Sequence, residues 1–550
     1  MINKKKKLKI HFTVLFFIGL FIFSVGVFGY TFRLFSWVPV NLDEVLPKET
    51  AFVTKIHLNK IKNEQDTLNL QEFVSRLDEY LEKKFTINFT KNIKPWIGSK
   101  ASFSILDEGE YLWAIERRNK KESQKFLEEF ITNGEKFVEQ ELENGKLLTP
   151  EFSSDIAFGF YHNWLLVSPS QAAIKKVFTK EFSLQENEKY KKIITDIPQN
   201  NFIFSFANTD LLLDHIKIPE SFKKYSPLAK TIAQSLPHVG VSLQYEKEQI
   251  TVSTKILSQE GVFKERLVSK TPNQTMPELA HMIPKDILFF TNGSDLYAKY
   301  LHTKEFLSEL DPQFSIIFEG LLQAQSEKIF GENFQFEQDF LSKMRGQYAF
   351  ALNFEDVLKP FINFTFITGF GYENKTEDIS QFHDAIHLAQ TQFSPKIEVV
   401  ELPDGTTRKE LVSAKPEEIA IEKIEFSNHT FFANHDKTTQ QQFAYGFFDK
   451  NLVFSTHTEG LKSIISIIED KNESLAENAD FRESVLFKFS PSESYGFLNI
   501  SKLVPSLELW QNQKESNSLT TFLRSKFRNF TFSRKIFPGE IFIKGIFFKR

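Results

Sequence analysis

Two imidazoles, His383 and His387, stand four residues apart in His383-Asp384-Ala385-Ile386-His387. On a helix that spacing puts both on one face, the arrangement of a zinc-binding pair. The zincin pattern needs a Glu directly after the first His as general base, and Asp384 is a shorter side chain. No third ligand is identifiable, so the pair reads as exposed and without function. Asp404-Gly405 could open a metal loop, but turn geometry explains both residues. The chain has no G-x-x-x-x-G-K-[ST] phosphate loop, no G-x-G-x-x-G and no G-x-S-x-G elbow, and its 12 histidines form no triad. The sequence assigns no catalytic, cofactor-binding or metal-ligating residue. Asn-x-Ser/Thr triplets at Asn88, Asn273, Asn292, Asn363, Asn374, Asn428, Asn472 and Asn529 are what an Asn-rich chain produces by chance.

Composition narrows the chemistry further. There is no cysteine, which excludes disulfides, thiolate metal sites and cysteine nucleophiles. Charged residues at 25% and apolar residues at 41% are ordinary for a folded protein. The net charge of −4 includes Lys4 to Lys7, Lys9 and Arg33, so residues 41–550 carry −10. An acidic surface of that kind argues against nucleic acid as a partner. The 62 phenylalanines admit an aromatic-lined cavity for an apolar ligand. Their dispersal over core positions, with Lys, Asn and Ile also common, favours biased base composition instead.

The elements that would position any site come from an internal repeat. Leu46-Pro47-Lys48-Glu49, followed by Phe52, returns as Ile283-Pro284-Lys285-Asp286, followed by Phe289. Gly98 and the alternating strand Ala101–Ile105 match Gly346 and Tyr348–Leu352. Glu141 to Lys146 matches Glu401 to Thr406, Ala157–Ser168 matches Ala444–Ser455 without a gap, and Ser183-Leu-Gln-Glu-Asn187 matches Ser474-Leu-Ala-Glu-Asn478. Five collinear matches over so long a period predict a tandem pair of domains, not a solenoid.

Within each copy the pattern predicts a strand, a helical segment (Leu68 to Lys84; Phe306 to Lys328), two strands, a second helix (Lys121 to Thr132; Glu377 to Thr391) and a hairpin. Asn144-Gly145 and Asp404-Gly405 read as type I′ turns, with about 27 extra residues after the second. A further hairpin about His162-Asn163 and Asp449-Lys450, a short helix, a strand and a long final hairpin complete the copy. Single helices among neighbouring strands make the class α+β with antiparallel sheets.

The N-terminus sets the location. Ile10 to Phe32, 23 residues without Asp, Glu, Lys or Arg, follow the lysine run and would span about 34 Å as a helix. That length exceeds the apolar core of a signal peptide, and the nearest small-residue site, Val27-Phe28-Gly29, is not A-x-A. Tyr30 and Trp37 sit where interfacial aromatics belong. The expected organisation is therefore a cytoplasmic basic tail at 1–9 and a single-pass signal anchor in the lipid bilayer at 10–32. A first α+β repeat domain at 44–258, a linker at 259–279 and a second repeat domain at 280–550 follow, all extracytoplasmic by the positive-inside bias.

The lysine-flanked anchor, the Leu-Pro-Lys-Glu/Asp-x-x-Phe opening and the Gly-Phe…Leu-Val-x-Ser hairpin together resemble an uncharacterised bacterial family. It is a domain of unknown function found in cyanobacteria and candidate-phylum bacteria, and the resemblance covers about residues 44–515. It implies an envelope location and supplies no catalytic residue. The expectation is a membrane-anchored, non-enzymatic protein with a binding, scaffolding or envelope-maintenance role, without a cofactor, whose partner is an envelope protein or an apolar ligand. A carrier of a lipid in a Phe-rich cavity is the alternative, and an envelope hydrolase a more distant one.

Overall fold

The computed structural model describes residues 41–57, 88–131, 137–151, 156–198, 201–215, 226–246, 249–259, 276–330, 334–355, 361–371, 375–393, 395–401, 405–413, 421–435, 442–485, 494–503, 526–537 and 539–549. The expected anchor at 10–32, the helical segment Leu68 to Lys84 and residues 260–275 of the expected linker lie outside them. Among the described residues no helix is long and apolar enough to cross a membrane.

The chain divides into two compact units. The first runs to Gly261 and includes Gly539–Phe542; the second runs from Val262 to Pro538 and includes Ile543–Arg550. Both are α+β with antiparallel pairing. In the first unit the strands are β1 (Phe52–His57), β2 (Ile97–Ile105), β3 (Tyr111–Arg117), β4 (Phe137–Leu142), β5 (Gly145–Pro150), β6 (Ala157–Tyr161), β7 (Trp164–Ser168), β8 (Ile203–Asn208), β9 (His238–Tyr245) and β10 (Gln249–Leu257). They pair in the order β4-β5-β6-β7-β3-β2-β1-β8-β9-β10.

The second unit contains β11 (Phe289–Gly293), β12 (Tyr348–Glu355), β13 (Phe361–Gly369), β14 (Pro395–Glu401), β15 (Thr407–Ser413), β16 (Ile421–Phe426), β17 (His429–His435), β18 (Gln442–Phe448), β19 (Asn451–Ser455), β20 (Ser494–Asn499), β21 (Phe527–Phe537) and, from Ile543 on, β22 (Glu540–Lys549). Its pairing order is β16-β17-β18-β19-β13-β12-β11-β20-β21. Strands β14 and β15 stand apart as a two-stranded sheet.

Alternation builds the first core on both faces of its sheet. Along β7, Trp164 and Leu166 join Ala173, Ile174, Val177 and Tyr190 on one side. Leu165 and Val167 join Trp96, Trp113, Phe126 and Phe158 on the other. The helix Gln171–Thr179 starts at Ser170, whose hydroxyl accepts from Ala173 N, and it buries Ala173, Ile174, Val177 and Phe178. It lies so close to β6 that a Cβ on Gly159 would stand 2.6 Å from Ile174 Cγ2.

The turns correct the sequence reading. Positive φ falls on Asn144 (69°) rather than Gly145, and the pair closing that hairpin is Leu142 with Gly145. Gly145 serves close approach instead, since a Cβ there would run into the Phe160 carbonyl oxygen. Gly405 does have positive φ (80°), but it sits in the connection between Glu401 and Thr407, not in a two-residue turn. The two-residue turn with positive φ at both positions is Ser427-Asn428, at 49° and 63°, joining β16 to β17. Strand β17 pairs with β18 as β5 pairs with β6. The counterpart of the Asn144 hairpin is thus the Asn428 hairpin, and β14-β15 is the extra segment.

Candidate functional site

The histidine pair is not exposed. Both imidazoles are half-buried on the helix Lys375–Phe393. His383 Nδ1 is hydrogen-bonded to the Tyr445 hydroxyl, and its ring packs on Phe432 with centroids 4.7 Å apart. Burial holds the His383 pKa below the usual imidazole value, with His387 adding to the shift and Asp384 opposing it. Among the described residues no group of three or more His, Cys, Asp or Glu could hold a metal ion. Asp404 lies outside the described residues. Two of the Asn-x-Ser/Thr asparagines, Asn363 and Asn529, are buried in strands, where no glycan could be attached.

The polar group that sequence reading missed is buried in the first unit. Lys55, on β1, donates to the Asp43 carboxylate and the Tyr190 hydroxyl. Asp43 comes from the short helix Leu42–Val45, and Tyr190 from the helix Glu188–Asp196. The Lys55 amine also lies 4.7 Å from the Tyr190 ring centroid and 5.3 Å from that of Phe204. Burial drives the Lys55 pKa down, opposed by Asp43; burial drives that of Tyr190 well up. Ser102, cross-strand from Lys55, and Ser104, cross-strand from Val53, are buried on the same side. Their hydroxyls find no hydrogen-bond partner among the described residues.

The second unit fills each of these places differently. Strand register puts Asn292 at the position of Lys55, Ala349 and Ala351 at those of Ser102 and Ser104, and Tyr495 at that of Phe204. Ala280 and Phe481 stand where the sequence match places Asp43 and Tyr190. The buried phenol here is on a strand instead of a helix: Tyr495 bonds the Ser484 hydroxyl, and no charge is involved. Ring geometry is kept, with Tyr190 and Phe206 at 5.2 Å and 88°, and Phe481 and Phe497 at 5.4 Å and 86°.

Two of the repeated sequence segments grip one another. Pro47 bridges to Ser183, and Pro284 to Ser474. Leu184 N donates to Leu46 O at 2.8 Å, and Leu475 N to Ile283 O at 2.7 Å. Ser183 and Ser474 each head a capping box closed by Glu186 and Glu477. Asn187 and Asn478 accept from Tyr190 N and Phe481 N, both at 3.0 Å, and donate to Lys48 O and Lys285 O, both at 3.2 Å. These residues form a backbone clasp, and their side chains are occupied in holding it.

A family model described as a protein of unknown function, DUF3352, matches residues 44–537. The chain belongs to this family. The DUF3352 match begins within the helix Leu42–Val45 and ends on the last residue of β21, so it takes in both clasps. A search of curated proteins finds no match. Among solved structures, crystal form IV of TP0453 is 9% identical over 40% of this chain and 81% of its own, with a TM-score of 0.26. Crystal form III of TP0453 is 8% identical over 42% and 85%, with a TM-score of 0.25. Likeness at that level transfers neither fold nor function.

The phenylalanines pack on one another. Phe382 meets Phe340, Phe370, Tyr445, Phe447 and Phe454 at centroid separations from 5.6 to 5.9 Å. Aromatic rings in such number and spacing make a core.

Proposed function

We propose that this chain is a membrane-anchored, extracytoplasmic, non-enzymatic scaffold built from two duplicated α+β units. One observation carries the reading: the two units share sheet order, clasp and ring geometry, but not the buried Lys55–Asp43–Tyr190 cluster. Duplicates that keep shape and discard chemistry are what selection for a surface leaves behind. Ring-on-ring packing around Phe382 supports a filled core over a lipid carrier. The anchor rests on the 23 uncharged residues after the lysine run.

The decisive experiment rewrites the first cluster in the second unit's residues. In a strain lacking the protein, the Asp43→Ala, Lys55→Asn, Tyr190→Phe triple variant restores envelope integrity as the parent does; a hydrolase using Lys55 would be lost. Protease added to intact spheroplasts digests residues 41–550, and full protection overturns the extracytoplasmic placement.

A further inference from the structure

The first unit begins with the helix Leu42–Val45, which is built into its core: Leu42, Val45 and Leu46 are all buried. Two lysine–aromatic pairs stand beside this helix. Lys48 N donates to Phe182 O at 3.1 Å, and the Lys48 amine lies 5.2 Å from the centroid of the Phe182 ring, which is 47% exposed. Lys180 donates to the Tyr161 hydroxyl at 3.3 Å, lies 4.6 Å from that ring, and feels the charge of Glu44 on the short helix. The Tyr161 ring packs on Phe178 at 5.3 Å, so the core holds its apolar body and Lys180 its hydroxyl. The second unit is different at both aromatic positions. Before the clasp serine it has Glu473 instead of Phe182, ion-paired with Lys285 at 2.6 Å. The residue matching Tyr161 is Phe448, buried at 3% exposure. The shared frame therefore requires neither an exposed ring at the first position nor a hydroxyl at the second.

We infer that this corner of the first unit rests on the bilayer surface, with Phe182 and Tyr161 as its interfacial aromatics. The inference rests on the anchor reading above and names the surface that meets the membrane. Chain length decides between occupants. With Trp37 at the interface, four residues, Val38 to Asn41, join it to Leu42, a reach of about 14 Å. From Leu42 to Lys48, which holds Phe182, one helical turn and three extended residues add at most about 16 Å. A protein partner would have to enter that narrow gap, whereas lipid already bounds it. Rings with an apolar body and a polar end or a lysine companion suit the headgroup level. Lys48 and Lys180 stand among Glu44, Glu49 and Glu181, so the corner carries no excess of positive charge and fits zwitterionic headgroups.

The absence of cysteine lets one thiol reporter be placed at a time. The full chain is reconstituted in phosphatidylcholine vesicles containing a lipid with a nitroxide near its headgroup. A fluorophore on Glu181→Cys loses most of its emission, and one on Asn472→Cys, the matching exposed position before the second clasp, keeps its own. Adding Phe182→Glu, the residue type of the second unit, restores the emission at position 181. All three positions are exposed, and an unchanged melting temperature confirms that the variants fold. A reporter on Val38→Cys separates this inference from the reading beneath it. Quenching at 38 but not at 181 overturns the corner contact alone, and quenching at neither overturns the anchor with it. Equal quenching at 181 and 472 also overturns the contact. So does a reporter at 181 shielded from both the nitroxide and aqueous iodide, which marks a protein as the occupant.

Discussion

Lys55 in the first unit and Asn292 in the second occupy one register position, the fourth residue of a central strand flanked by matching neighbours. Around Lys55 the chain buries an amine, a carboxylate and a phenol; around Asn292 it buries alanine, phenylalanine and the uncharged Tyr495–Ser484 hydroxyl pair. A buried ion pair adds little stability over well-packed apolar residues, yet deleting one partner is costly. The same frame therefore tolerates either solution, provided each is complete. Clasp, register and ring packing specify the frame, and the charged cluster is a local variation upon it.

That contrast is most vulnerable at its centre. Lys55→Ala alone strands the Asp43 carboxylate and should cost about 3–5 kcal/mol, whereas the Asp43→Ala, Lys55→Asn, Tyr190→Phe triple variant should cost under about 2 kcal/mol. Urea unfolding followed by tryptophan fluorescence reads this, because Trp96, Trp113 and Trp164 are buried in the core of the first unit. A triple variant as unstable as the single one would mean that the cluster is integral to the first frame.

The turn glycines come next. Gly145→Val forces a side chain into the Phe160 carbonyl and should cost about 3 kcal/mol. Gly405→Val meets only backbone strain at positive φ, in open space, and should cost about 1 kcal/mol. Equal melting shifts would return both glycines to one role.

Acid should separate the units as well. Burial, aided by Lys100 and Lys55, lowers the His57 pKa to about 4, and burial, aided by Lys189, does the same for His238. Both belong to the first unit. As pH falls from 6.5 towards 4, the unfolded chain takes up protons that the folded histidines refuse, so stability is lost across that window. The loss should be on the order of 2–3 kcal/mol and should flatten in the His57→Gln, His238→Gln variant. A tryptophan-monitored unfolding midpoint that does not move between pH 7 and pH 4.5 would contradict the buried placement of both rings. The smallest effect belongs to the second unit: Tyr495→Phe leaves the Ser484 hydroxyl with one partner fewer and should cost about 1 kcal/mol, nearly cancelled by adding Ser484→Ala.

Local pattern makes much of this frame legible. Ala157–Ser168 and Ala444–Ser455 match as hairpins and pair as such, because strand alternation and a tight turn are short-range signals. The same reliance on local signals misplaces the second unit's other hairpin. Asp404-Gly405 is the stronger turn dipeptide, and Ser427-Asn428 is a weak one, though Asn428 and Asn144 adopt the same positive φ. The Lys55 cluster leaves no trace in sequence. Lys55 reads as one position in an alternating strand, Asp43 is 12 residues upstream, and Tyr190 is 135 residues away on a helix. Only tertiary structure brings them together. The half-burial of His383 on its helix likewise follows from Phe432 and Tyr445, which lie on β17 and β18.

Strand β1, held between β2 and β8, ties folding to the pace of synthesis. Thr54 and Ser205, hydrogen-bonded across β1 and β8, are 151 residues apart in the chain. At roughly 5–20 residues per second, synthesis delivers β8 about 8 to 30 seconds after β1. Until then the first strand has one free edge and the Leu46-Pro47 segment has no Ser183 to hold it. Contacts of such long range make closure slow. For the extracytoplasmic placement proposed above, that delay favours passage across the bilayer in extended form, since β1 cannot lock on both edges before β8 has been made.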